Sequence, residues 1–209
     1  MLTPARLEAF SDGVLAIAAT LLVLELRVPE AAGENHLAAA LLAQWPSYAT
    51  YITSFATIGI IWVNHHSLFA HVRYVDRRLL FLNLLLLMLV SLIPFPTALL
   101  GRYVTAAEDS HIAAAVYGAV MVAMSLAFSV LWRHVTRDAR LIGPHLDPRR
   151  ARQESVFFSA GLLGYALGIG LSFVSAILAL GVYALVAVFY VFPWLPEAQP
   201  GAHPDVAGS

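Results

Sequence analysis

Neither cysteine nor lysine occurs anywhere in the 209 residues. Without cysteine there is no disulfide, no thiolate nucleophile and no Cys-ligated metal, and the redox state of the compartment leaves no trace in the chain. Without lysine, all twelve cations are arginines, and they gather in a few connecting segments. Charge of either sign is scarce, at 12% of residues, about half the globular norm. The net charge of −1 gives no electrostatic basis for binding nucleic acid or an acidic substrate. A nucleophile and base at a plausible spacing, a His-Glu-x-x-His and a phosphate-binding glycine loop are missing too, so no enzyme and no cofactor or metal is expected. Internal repeats and low-complexity segments are likewise lacking.

What is there is hydrophobic: 60% of the chain, against roughly 45–50% in soluble domains. No long polar faces exist to cover that surface, and lipid is the solvent that needs none. A spanning helix takes about 20 mostly apolar residues. Six segments qualify, near residues 7–28, 45–69, 78–100, 111–132, 154–171 and 174–194. The last two share one apolar tract from Val156 to Leu195, divided near Gly170 to Phe173. The expected fold is therefore an all-α membrane protein of six transmembrane helices. Residues 1–196 form its membrane domain, and 197–209 a short disordered tail, rich in proline and glycine.

The first apolar run precedes the small residues of Pro29 to Gly33, yet it does not read as a cleavable signal. Its start carries Glu8 and Asp12 within the helical pattern where a signal has a basic region. Cytoplasmic loops retain cations. With the N-terminus inside, ten arginines are cytoplasmic and only Arg27 and Arg102 lie outside, so both termini are expected in the cytoplasm. The loop from Arg133 to Glu154 is broken by Gly143-Pro144 and Asp147-Pro148 and holds six of the arginines. They read chiefly as topology retention, and secondarily as a grip on anionic membrane lipid. In the fifth span Ala160, Gly164, Gly168 and Ser172 recur every four residues, a small-residue stripe for close helix packing. Pro94 and Pro96 fall near the outer end of the third span.

Two places carry polar groups at membrane depth. An aspartate in the bilayer core costs about 2.5–3.5 kcal/mol on insertion scales, so Asp12 in the first span needs partners or water. Beyond it, Ile17, Leu21 and Leu24 stand at i, i+4 and i+7 and form one stripe. Periodicity alone makes that stripe ordinary packing. The second span ends in Trp62-Val-Asn-His-His66. Adjacent helical residues point about 100° apart, so His65 and His66 cannot both ligate one metal.

Arg6, Phe10, Ser11 and Asp12 match the Arg-x-x-x-Phe-Ser-Asp signature of the transmembrane protein 175 family of lysosomal and prokaryotic potassium channels. The sequence that follows, from Gly13 to Glu25, also resembles that family's first span. The resemblance implies a potassium-permeable cation channel whose pore is lined by the first helix of each subunit. Ile17 is then the narrowest point, Leu21 and Leu24 continue the constriction, and Thr20 offers the nearest hydroxyl to a passing cation. Arg6, Phe10, Ser11 and Asp12 would brace the pore helix, supported by Trp62, Asn64, His65 and His66, with the contacting histidine left open. Animal members carry two six-span repeats and this chain one Phe-Ser-Asp, so the resemblance implies a homotetramer in a prokaryotic plasma membrane. The Thr-Val-Gly-Tyr-Gly loop of classical potassium filters is absent, which leaves constriction width to give modest selectivity over sodium. The alternatives are a proton-conducting channel and a secondary transporter. Neither the inverted repeats nor the midplane helix breaks of a carrier are evident.

Overall fold

Three stretches, Pro4–Glu25, Arg77–Tyr103 and Ser110–Arg137, are long and apolar enough to cross a bilayer. They belong to a computed structural model that describes residues 3–29, 37–138, 140–141 and 148–191, with side chains described outside 148–159. The described residues form eight α-helices: α1 Pro4–Leu21, α2 Leu37–Ala43, α3 Trp45–Phe69, α4 Arg77–Leu92, α5 Pro94–Tyr103, α6 Ser110–Arg137, α7 Pro148–Ser172 and α8 Ala176–Val191. A 3-10 turn, Leu22–Glu25, continues α1.

All six expected segments are helical, with four differences. The first ends as an α-helix at Leu21, seven residues before the expected limit. The third is bent: Pro94 and Pro96 supply no N–H, and the Ile93 amide turns to the Val90 carbonyl at 3.0 Å, so α4 and α5 meet at a proline kink. The fifth begins at Pro148, where proline fits a first helical turn. Short α2 has no counterpart in the expected set. The division of the last apolar tract falls between Ser172 and Ala176, close to its expected place. The expected tail at 197–209, the small residues through Gly33, Gly143-Pro144 and Asp147 lie outside the described residues.

Side chains divide into a buried and an outward set on the long helices. Leu7, Leu15 and Ala18 of α1 and Leu22 of the turn after it enter a core shared with Leu79, Leu86 and Val90 of α4 and Ile58, Ile61 and Leu68 of α3. Large apolar side chains such as Phe81, Met88, Phe95, Leu163 and Leu185 are exposed, as a lipid-facing surface requires. The small-residue stripe of α7 works as packing. A Cβ on Gly164 would strike Val186, and one on Gly168 would strike the Tyr183 ring. That ring is also held against Gly118 of α6, and its hydroxyl donates to the Ala114 carbonyl at 3.0 Å.

At the turn before α4, Asp76 accepts from the Leu79 amide and from His134 Nε2, the latter at 3.0 Å. Partial burial works to raise its pKa, but the Leu79 and His134 hydrogen bonds, His134's charge and Arg78 together hold it below the ordinary carboxylate value. Such a depressed group stabilises the fold above its unfolded pKa and ceases to do so as pH falls through the folded one. We expect Asp76→Ala to lower stability by about 1 kcal/mol near neutrality, and the difference from wild type to shrink as acid protonates the carboxylate, read by thermal unfolding in detergent. A second expectation concerns Gly168. Because Gly118 and the Ala114 bond hold Tyr183 from the other side, Gly168→Ala is expected to cost about 1–3 kcal/mol, and an unchanged melting temperature would contradict the clamp.

Candidate functional site

The Leu-rich run of α4 contains a single amide, Asn83, and that side chain ties the signature together. Ser11 is fully buried and donates to the Leu7 carbonyl at 2.9 Å. Its one proton is thereby used, so it accepts from Asn83 Nδ2, also at 2.9 Å. This orients the amide with Oδ1 toward His65 Nε2, 2.8 Å away, and Nε2 must carry the proton. The result is a chain of donation with one direction, His65 to Asn83 to Ser11 to Leu7, linking α3, α4 and α1. His65 stacks on Phe69 at 4.3 Å between centroids, and its Nδ1 is buried with no partner.

Two more contacts join α1 to α3, spaced one turn apart on both helices. Trp62 Nε1 donates to Asp12 Oδ1 at 3.0 Å. His66 Nδ1 lies 2.8 Å from Glu8 Oε1, and the Trp62 and His66 rings stack at 6.2 Å. The two adjacent histidines thus serve different partners, His65 through Asn83 and His66 directly, as their divergence of about 100° requires. Asp12 has the partner that its depth calls for. No group of three or more potential metal-ligating His, Asp or Glu side chains occurs among the described residues.

Three members of the expected bracing set stand apart from this network within the subunit. The Arg6 side chain is exposed and makes no hydrogen bond or ion pair to the described residues, because its helix position turns it away from α3 and α4. Phe10 is 54% exposed on that same outward side. Asn64 does not join the Trp62 and His65 contacts. It lines a cleft with Thr57, Met124, Phe128 and Tyr165, one residue before His65 and hence on another face. Asn83 and Glu8 were not anticipated. Asn83's signal was a lone amide within Phe81-Leu-Asn-Leu84, where nothing local names a partner 72 residues away.

The aliphatic stripe is left open by these contacts. Ile17, Leu21 and Leu24 are 61%, 42% and 70% exposed, while Leu15, Ala18 and Leu22 between them are buried. In the 3-10 turn residues three apart eclipse, so Leu24 stands nearly in line with Leu21. Thr20 is exposed, and its hydroxyl donates to the Ile17 carbonyl at 2.9 Å, which leaves its oxygen lone pairs facing outward.

The family model described as endosomal/lysosomal potassium channel TMEM175 matches residues 6–94, a range that contains every residue named above on α1 and α4. A potassium channel of Streptomyces collinus is 54% identical over 191 residues, or 91% of this chain and 93% of that one. This chain belongs to the TMEM175 family. The crystal structure of a lysosomal potassium-selective channel TMEM175 homolog from Chamaesiphon minutus superposes with a TM-score of 0.78 at 38% identity, covering 90% of this chain and 96% of the other. The human endosomal/lysosomal proton channel TMEM175 is 46% identical over 101 residues, 44% of this chain and 20% of the human protein. As a TMEM175 member the chain is an integral membrane protein of all-α fold, in a family of channels and not of enzymes.

Coupling across the network has a direct measure. Asn83→Ala orphans the His65 N–H and removes the donor to Ser11, and about 1–3 kcal/mol of stability should be lost per unsatisfied group. Ser11→Ala in the Asn83→Ala background should then cost much less than in wild type. Additivity within about 0.5 kcal/mol in thermal unfolding would mean that the two residues do not form one unit.

Proposed function

We propose that this chain is one subunit of a homotetrameric, potassium-permeable cation channel, with α1 of each subunit lining the pore. The observation that carries the reading is the stripe of Ile17, Leu21 and Leu24, exposed on a helix whose carboxylates Glu8 and Asp12 and buried Ser11 turn inward to α3 and α4. One subunit cannot enclose a path with a single helix, so a symmetric ring supplies the other walls. The named functions of the Streptomyces and Chamaesiphon relatives favour potassium as the conducted ion.

In this reading the narrowest point is Ile17, with Leu21 and Leu24 extending an apolar constriction. An ion passing it sheds part of its hydration shell. Potassium holds that shell less tightly than sodium, so width alone discriminates modestly. Hydrophobic constrictions of this kind also gate by dewetting. Thr20 presents acceptor lone pairs because its proton is committed to the Ile17 carbonyl. The Ser11, Asp12, Trp62, His65 and Asn83 contacts hold α1 without touching the ion. The arrangement fits six spans in one domain over residues 1–196. The arginine distribution favours both termini in the cytoplasm of a prokaryotic cell, with the basic loops against the anionic lipid surface.

A second reading, proton conduction, is favoured by the named function of the human relative. Reversal potentials in separate potassium and proton gradients distinguish the two. Replacing Ile17 by serine should raise sodium permeability relative to potassium, measured as a shift of bi-ionic reversal potential in planar bilayers. An unchanged potential would remove Ile17 from the filter, and a current that follows only the proton gradient would replace the potassium reading.

A further inference from the structure

Charge is sorted around α1 by face. At about 100° per residue, Glu8 and Asp12 lie about 180° and 140° from Ile17, on the side packed against α3, where His66 and Trp62 satisfy them. Arg6 lies within about 20° of Ile17, three turns toward the N-terminus, and Phe10 and Gly13 fall between them on that face. Arg6 is exposed, and no carboxylate among the described residues pairs with it. The nearest other cations, Arg73, Arg77 and Arg78, sit at the α3–α4 turn and are exposed as well. The free face of α1 therefore carries an aliphatic stripe and, about 16 Å from Ile17 along the helix, one permanent positive charge. Arginine stays protonated at any working pH.

We infer that Arg6 lines the N-terminal mouth of the conduction path and limits cation entry by electrostatic repulsion. The inference rests on the pore reading above, since a stripe turned to lipid would carry Arg6 to lipid with it. Symmetry then brings one guanidinium from each subunit around a common axis, with the α1 carboxylates facing away. Such a ring lowers the local cation concentration in the mouth. At three turns from Ile17 it acts on supply to the constriction and leaves selectivity unaltered. Screening sets the signature: the Debye length is about 30 Å at 0.01 M salt, about 10 Å at 0.1 M and about 3 Å at 1 M, so the effect fades as salt rises.

The test is unitary potassium conductance in planar bilayers of neutral lipid, at about 0.05 M and about 1 M KCl. Arg6→Gln is expected to raise low-salt conductance severalfold and to converge on wild type at high salt, with the reversal potential unchanged, while Arg6→Lys keeps wild-type values. Gly13 has open space where a Cβ would stand, so Gly13→Glu places a compensating charge on the same face and should also raise low-salt conductance. This second variant keeps the test open should Arg6→Gln fail to assemble. Low-salt conductance unchanged in the variants that assemble, or changed equally at both salts, overturns the role of Arg6. If Ile17→Ser still shifts selectivity in that case, the pore reading stands. If Ile17→Ser is silent too, the pore reading has failed first.

Discussion

A buried serine with one proton to give sets the orientation of the first helix. Ser11 spends that proton on the Leu7 carbonyl and must therefore be donated to, and the donor brought to it is Asn83 of α4. Asn83 in turn requires a protonated nitrogen from His65 of α3. In a low-dielectric interior each of these groups would be expensive alone, and none can be satisfied by rotating α1 a few tens of degrees. The rotation of α1 is thus specified by hydrogen bonds, while its depth and tilt follow from apolar burial. Trp62 to Asp12 and His66 to Glu8 repeat the constraint one turn apart. What is left over is a fixed, unsatisfied aliphatic face.

This division of labour explains a membrane helix with its carboxylates on one side and a mainly aliphatic face on the other. Without water there is no hydrophobic drive between helices in lipid, so polar contacts and close packing hold them. The α1–α3–α4 side uses the first and the α6–α7–α8 side the second. There Gly118, Gly164 and Gly168 admit Tyr183 and Val186 against backbone. The half that carries the signature is also the half that the family model matches, residues 6–94.

Much of this was legible in the sequence. The helix period fixed which residues of α1 share a stripe, because a 3.6-residue repeat survives any later packing. Asp12 declared its need for a partner by its depth, and Trp62 answers it. The divergence of His65 and His66 followed from their adjacency. Less legible were the long-range pairings. Asn83 sits in a run of leucines and its partners are remote in sequence, so only the folded chain shows what it is for. The motif groups Arg6 with the brace, yet motif membership says nothing of helical phase. Its position eleven residues before Ile17 places it on the free face. Asn64 was grouped with its neighbours for the same reason and lies around the helix from them.

The 3-10 turn at Leu22–Glu25 has a consequence for length. A 3-10 helix rises about 2.0 Å per residue against about 1.5 Å in an α-helix, so the outer end of the stripe is stretched as well as aligned. Ile17 to Leu24 then spans roughly 12 Å along the axis, the depth of about four stacked water molecules. In the proposed pore an ion meets a dry corridor in place of a thin ring. The hydration it gives up must be forgone over that whole distance, and a local change between 3-10 and α geometry would shorten the corridor and turn Leu24 out of line without moving any helix.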